Sequence, residues 1–286
     1  MVRMSLPLLW AASGELMVEK CGMLNVGIEG VMLLGAFWGY VAGVYFHSIG
    51  LAFCVAALIG LAAGCLLGLL YITLRVDTIA AGIAFNIFAF GITEYFFKSL
   101  LARMAGDPPQ IGVWQVPFLR RLPLVGEWFA EQNGCLYATC ALLLLLYALL
   151  YHTQFGLKLR VIGDNPLAAE SAGIPVRTLR YVCLMLSTAA VAVGGAILSL
   201  VNVSAYTSNM TSGRGFIALA LVIFGCRRIR YVLCGGVMFG LLEAFQLRLQ
   251  VLYPHVPYQL LSMLPYAITI GVLVLVSGKH RTYSSS

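Results

Sequence analysis

Long apolar runs alternate with short polar breaks along the chain, at residues 5–18, 22–46, 51–74, 78–101, 135–151, 181–204, 215–225, 231–245 and 259–277. A membrane-crossing strand would show about ten residues of alternating polarity. These runs are apolar on every side, which predicts helices and an all-α fold. Most are near the ~20 residues that a bilayer crossing requires. Two depart from that rule: 215–225 is too short, and 22–46 carries Asn25 and Glu29 early, beside Gly27 and Gly30. Such segments predict helices broken near the midplane, where freed backbone groups line a pathway. The run at 5–18 has a single positive charge ahead of it, no clear small-residue cleavage site and the acidic pair Glu15 and Glu19. It reads as a retained span or half-span, not a signal peptide. About eight transmembrane helices follow, in a single transmembrane domain over 1–286.

Composition agrees with that pattern and removes the soluble classes. The chain is 61% hydrophobic and 10% charged, with a mean hydropathy of +0.92, whereas soluble domains are roughly 45–50% apolar and about 25% charged. The net charge of +7 argues membrane topology rather than nucleic acid, because Lys and Arg gather in cytoplasmic loops. Placing the polar segment 156–180 in the cytoplasm puts Arg227, Arg228 and Arg230 inside as well, with the N-terminus outside and the C-terminus inside. Residues 102–134, which hold Asp107, Pro108, Pro109, Trp114, Pro117, Pro123 and Trp128, then form an extracytoplasmic cap. Cys21, Cys54, Cys65, Cys135, Cys140, Cys183, Cys226 and Cys234 include no C-x-x-C pair. They read as small buried hydrophobes, with neither a disulfide framework nor a metal site.

Polar residues inside apolar runs are costly in lipid and face a cavity or a neighbouring helix. Asn25 and Glu29, four apart on one helical face, offer an amide and a carboxylate to sugar hydroxyls or a nucleobase edge; helix packing is the competing reading. Asn86, mid-span, is either interhelical glue or a ligand contact. Phe37 and Phe85 offer rings for stacking, or belong to the core. In 209–216, Asn209, Arg214 and Phe216 flank a helix start whose amides could meet a ligand, with Arg214 equally an interface anchor. Glu15, Glu94 and Glu243 suggest ion coupling, or pairing with Lys20, Lys98 and Arg248. The sequence has no G-x-x-x-x-G-K-[ST] and no H-E-x-x-H, and its four histidines fall at segment edges. The chain is therefore read as a transport protein and not an enzyme, and any ATP hydrolysis belongs to another polypeptide.

The polar segment 156–180 reads GLKLRVIGDNPLAAESAGIPVRTLR. Asp164 or Asn165 can cap a helix, Pro166 suits its first turn, 167–172 are good helix formers and Gly173 can stop it. A loop that only connects two spans would be shorter, so this one is read as a docking element. Gly163, Asp164, Asn165, Pro166, Ala168, Ala169, Ala172, Gly173 and Ile174 match a Gly-x-Asn-Pro-x-Ala-Ala-x-x-Ala-Gly-Ile pattern. In this the chain resembles permease subunits of the ribose and branched-chain amino acid class of ABC importers. The resemblance makes 156–180 a cytoplasmic coupling loop, with Gly163, Asp164, Asn165, Pro166, Ala169, Glu170, Gly173 and Ile174 coupling to the ATPase. The stretches 14–37, 75–93, 209–225 and 241–250 look like the branch that imports nucleosides with lipoprotein receptors, although the turn at 226–230 is more basic than the family's.

The resemblance implies a type II-like permease in the bacterial cytoplasmic (inner) membrane, carrying nucleosides, purine nucleosides foremost. Asn25, Glu29, Phe37, Phe85, Asn86, Asn209, Arg214 and Phe216 are its candidate pathway residues. The implied partners are a P-loop ATPase that holds the ATP and Mg, a second permease, identical or related, and an extracytoplasmic substrate-binding lipoprotein; no cofactor is expected in this chain. A simple-sugar permease of the ribose type, an ion-coupled secondary transporter using Glu29 or Glu94, and a membrane-embedded enzyme are the alternatives.

Overall fold

The structure, a computed structural model, describes residues 2–100, 134–225, 227–252 and 263. Among them are helices and no strands. A 3-10 turn, Val2–Ser5, leads into α1 (Leu6–Lys20), α2 (Ile28–Phe46), α3 (Ile49–Gly68, closing in a π-helical turn Leu69–Thr73) and α4 (Thr78–Leu100). The chain is next described from α5 (Gly134–His152), through the short α6 (Gln154–Asp164) and α7 (Pro166–Ser171). It continues into α8 (Val176–Ile197, closing in a π-helical turn Leu198–Val203), α9 (Arg214–Phe224) and α10 (Ile229–Leu252). Helix starts follow local chemistry. Pro7 sits in the first turn of α1, and Asp77 Oδ1 accepts from the amides of Ile79 and Ala80 at 3.0 and 2.9 Å at the start of α4, satisfying donors that have no intrahelical partner.

Six described helices are long and apolar enough to cross a membrane: Ile28–Phe46, Ile49–Thr73, Thr78–Leu100, Gly134–His152, Val176–Val203 and Ile229–Gln250. The expected count of about eight is not reached among the described residues. α1, with 15 residues, and α9, with 11, fall short of a ~20-residue crossing. The run at 259–277 and nearly all of the cap segment 102–134 lie outside the described residues. α3, α4, α5 and α10 leave large apolar side chains uncovered, among them Leu58, Ile87, Leu144 and Leu145. That surface is at home against lipid, not water.

α1 is wrapped by its neighbours: the whole of Leu6–Glu19 is buried except Trp10. α8 packs against α1, α2 and α3, and small residues let these backbones approach closely, as helix association in lipid favours. An added Cβ at Gly35 would stand 2.1 Å from the Ala192 carbonyl oxygen, and one at Gly195 would stand 2.0 Å from that of Met32. The obstacle in both cases is rigid backbone. Gly35→Ala is therefore expected to cost roughly 1–3 kcal/mol through overpacking. Gly91→Ala, on the open side of α4 with nothing within 4 Å, is expected to be neutral or to stabilise by up to about 1 kcal/mol. Thermal midpoints of the two purified variants in detergent check the contrast.

Candidate functional site

Two interruptions organise the interior: the loop joining α1 to α2, and the loop leading into α9. α1 ends where Gly22 turns to a φ of +74°, a left-handed conformation that glycine adopts without steric cost. The Gly22 and Met23 amides then donate back to the carbonyls of Glu19 and Val18. Asn25 follows, fully buried, its amide donating to Glu15 Oε1 at 3.1 Å and its Oδ1 accepting from Gly27 N at 3.1 Å. α2 starts only at Ile28. Asn25 therefore precedes the helix that carries Glu29, and the shared helical face expected for the pair does not exist; the helix begins after Gly27, and Gly30 lies within it.

Each interrupted end is closed by a side chain from another helix. Asn86 of α4 lies across the start of α2, its Oδ1 accepting from Gly30 N at 2.8 Å and its Nδ2 donating to the Val26 carbonyl at 2.9 Å. Glu29 of α2 caps α9: Oε1 accepts from Gly213 N at 2.8 Å and Oε2 from Gly215 N at 2.7 Å. A carboxylate there complements both the unpaired amides and the positive end of the helix dipole. The approach is possible because Gly215 has no side chain; a Cβ would stand 2.7 Å from the Cα of Glu29. Gly82 plays the same part opposite Val26, where a Cβ would lie 2.7 Å from that of Val26.

The structure thus gathers Asn25, Glu29, Asn86 and Arg214 around the starts of α2 and α9. Arg214 donates to the Met210 carbonyl at 2.9 Å and pairs with Glu243 of α10. The other candidates lie apart. Phe37 is fully buried and meets Trp38 and Tyr206 edge-on, with ring centroids 5.3 and 5.1 Å away. Phe85 lines an apolar cavity between α3 and α4, and Phe216 is 43% exposed. Asn209, at a φ of 53°, offers its carbonyl to Ser212 N. Of the pairings expected for the carboxylates, Glu94–Lys98 forms at 3.2 Å. Glu243 takes Arg214 in place of Arg248, because the helix break aims Arg214 at α10, and Glu15 takes the Asn25 amide in place of Lys20. The Gly213 and Gly215 amides were missed as partners for Glu29; the Gly-Arg-Gly spacing before a short apolar run was the available signal.

The docking segment forms a second, separate group. Asn165 is the N-cap of α7, its Oδ1 accepting from Ala168 N at 3.1 Å, with Pro166 in the first turn. Gly173, at a φ of +77°, ends it, its amide donating to the Glu170 carbonyl while Ile174 N donates to that of Ala169. Ala169 faces inward, and Asp164, Leu167 and Glu170 are exposed. Gly163 rests on the end of α1, where an added Cβ would lie 2.2 Å from the Lys20 carbonyl oxygen.

These bonds separate by mutation. Glu29→Ala removes the cap from α9, a loss of about 0.5–2 kcal/mol, and is expected to speed amide hydrogen exchange at the start of α9, up to roughly tenfold for each 1.4 kcal/mol. Asn86→Ala is expected to loosen the first turn of α2 and leave α9 protected. Exchange read by mass spectrometry on the purified variants tests the pair.

Comparison with known proteins agrees with this architecture. The family model described as "Branched-chain amino acid transport system / permease component" matches residues 1–273. The guanosine ABC transporter permease protein NupQ of Bacillus subtilis is 30% identical, over 96% of this chain and 89% of its own. The nucleoside ABC transporter permease protein NupC of Lactococcus lactis is 32% identical, over 96% and 90%. TsgC13 of Haloferax volcanii, provisionally named a glucose ABC transporter permease protein, is 33% identical, over 93% and 87%. No solved structure matches. With a helical bundle built to cross a membrane and a family match over almost its whole length, the chain belongs to the branched-chain amino acid transport system permease family, as a multi-pass membrane permease subunit.

Proposed function

We propose that this chain is the membrane subunit of an ATP-driven importer of nucleosides, purine nucleosides foremost. The observation that carries the reading is the likeness over nearly the full length to two permeases named for guanosine and nucleoside transport. The site chemistry supports a neutral solute. Glu29 occupies the α9 amides and Arg214 is matched by Glu243, so neither charge stands free to hold the carboxylate or ammonium of an amino acid. The simple-sugar reading stays as the second, favoured by the glucose-named relative; sugars and nucleosides are both neutral and rich in hydroxyls.

In this reading a separate P-loop ATPase docks on the capped helix α7, where Leu167 and Glu170 are exposed, and Gly163, Asp164, Asn165, Pro166, Ala169, Gly173 and Ile174 hold that helix in shape. A second permease, identical or related, completes the pathway, and an extracytoplasmic binding lipoprotein delivers the solute. The proposed orientation puts α6 and α7 in the cytoplasm of a bacterium, the N-terminus outside and the C-terminus inside. Asn25, Glu29, Asn86, Asn209 and Arg214 shape the pathway by fixing the helix starts, with Phe37, Phe85 and Phe216 beside it. ATP and Mg sit on the partner, and this chain carries no cofactor.

Purification of the tagged chain from its own membranes in mild detergent is expected to bring down a P-loop ATPase and a second permease; a lone chain without ATPase activity overturns the reading. In proteoliposomes holding that complex and its receptor, uptake of labelled guanosine is expected to be inhibited by other purine nucleosides and not by glucose or ribose. The reverse order selects the sugar reading. Charge reversal by Glu170→Arg is expected to lower uptake by at least about tenfold, a loss of ~1.4 kcal/mol in coupling, while the complex still hydrolyses ATP.

A further inference from the structure

On the face that carries α6 and α7, the end of α3, the loop after α1 and the start of α8 line an open polar cavity of about 690 Å3. Four arginines line it, Arg75, Arg177, Arg180 and Arg227, against two carboxylates, Glu19 and Glu170. One carboxylate is already engaged, since Glu19 lies 3.6 Å from Arg227. Asp77, on the adjoining turn, is turned into the cap of α4. Arg177 donates to Thr73 Oγ1 at 2.9 Å. Arg180 is half-buried. Arg75 stands exposed on the turn between α3 and α4 at a φ of 53°. The lining therefore carries an excess of positive charge.

A guanidinium's fixed fork matches the oxygens of a phosphate. The α3–α4 turn adds a second feature. Arg75 lines the polar cavity, while its neighbour Val76 lines an apolar cavity of about 470 Å3 with Leu66, Leu70, Ala80, Ala84 and Phe88. Charged and apolar recesses thus flank one turn near the end of a membrane span. Basic pockets between transmembrane helices are where anionic lipid headgroups bind.

We propose that the cavity lined by Arg75, Arg177, Arg180 and Arg227 is a binding site for a phosphate-bearing anion, either the headgroup of an anionic phospholipid or a soluble phosphomonoester. The site borders the α1–α2 loop through Gly22, Met23 and Leu24 and does not depend on which solute the permease carries. Its occupant would touch α7 through Glu170.

The test uses the complex purified from its own membranes, as wild type, Arg75→Gln and Arg75→Gln/Arg180→Gln. Bound phosphatidylglycerol is extracted and quantified after extended washing in non-ionic detergent. Thermal midpoints are recorded in inorganic phosphate and in glycerol phosphate, against chloride at matched ionic strength. Phosphatidylglycerol retained by the wild type and reduced at least about tenfold in the double variant supports the lipid headgroup. A midpoint raised by phosphate or glycerol phosphate in the wild type but not in the double variant, as mass action requires of a ligand that binds the folded state, supports the soluble anion. Equal lipid retention with no midpoint response in any form overturns the proposal. Arg75→Gln lies at an exposed position and carries the same comparison if the double variant does not fold.

Discussion

Capping of one broken helix by a side chain from another is the constraint on which the interior depends. A helix start leaves its first amides without partners, and inside a membrane no bulk water is available to meet them. α2 and α9 both begin inside the bundle, and both are met from across a helix interface: Asn86 takes the Gly30 amide and Glu29 takes those of Gly213 and Gly215. Glu29 is the more consequential of the two caps. Its charge is matched by two charge-assisted hydrogen bonds and by the dipole of α9, so a carboxylate that would be costly in lipid becomes a fixed part of the scaffold.

Those caps impose close approach, and close approach explains the glycines. Gly215 lies against the Glu29 backbone, Gly82 against Val26 and Gly30 against Ala89 and Asn86; any of them with a side chain would hold the helices too far apart for the short Asn and Glu side chains to reach. The same economy of volume runs through the contact of α8 with α2 and α3, where Gly35, Gly60, Gly64 and Gly195 meet backbone directly.

The short helices α6 and α7 join this scaffold at several places, among them the contact of α6 with the end of α1. Gly163 sits on the Lys20 carbonyl, at the end of α1, and the chain from there runs through Gly22 and Asn25 to the start of α2. A displacement of α7 therefore has a short path, made of backbone contact and hydrogen bonds, to the Glu29 cap. In the proposed importer this links the ATPase to the helices around the pathway. The arginine-lined cavity lies along the same route, with Glu170 on one wall and Gly22 on another.

Much of this was legible in the sequence. Unbroken apolar runs fix membrane helices, because length and polarity alone decide what lipid accepts. The short run at 215–225 became α9, Arg214–Phe224, and Asn165, Pro166 and Gly173 delimited α7 as their local capping chemistry dictates. What the sequence could not give was partnership. Asn25 and Glu29 have helical spacing, but whether a helix continues through two glycines depends on neighbours that satisfy the freed backbone. Here Asn86, some 60 residues further along the chain, satisfies backbone groups at the break just ahead of Ile28, and Glu29, about 185 residues from Gly213 and Gly215, does the same for the start of α9. Arg214 chose Glu243 over solvent for the same reason. Local rules determine where helices start and stop when their caps are neighbours in the chain; caps supplied across the bundle exist only once the tertiary structure brings those helices together.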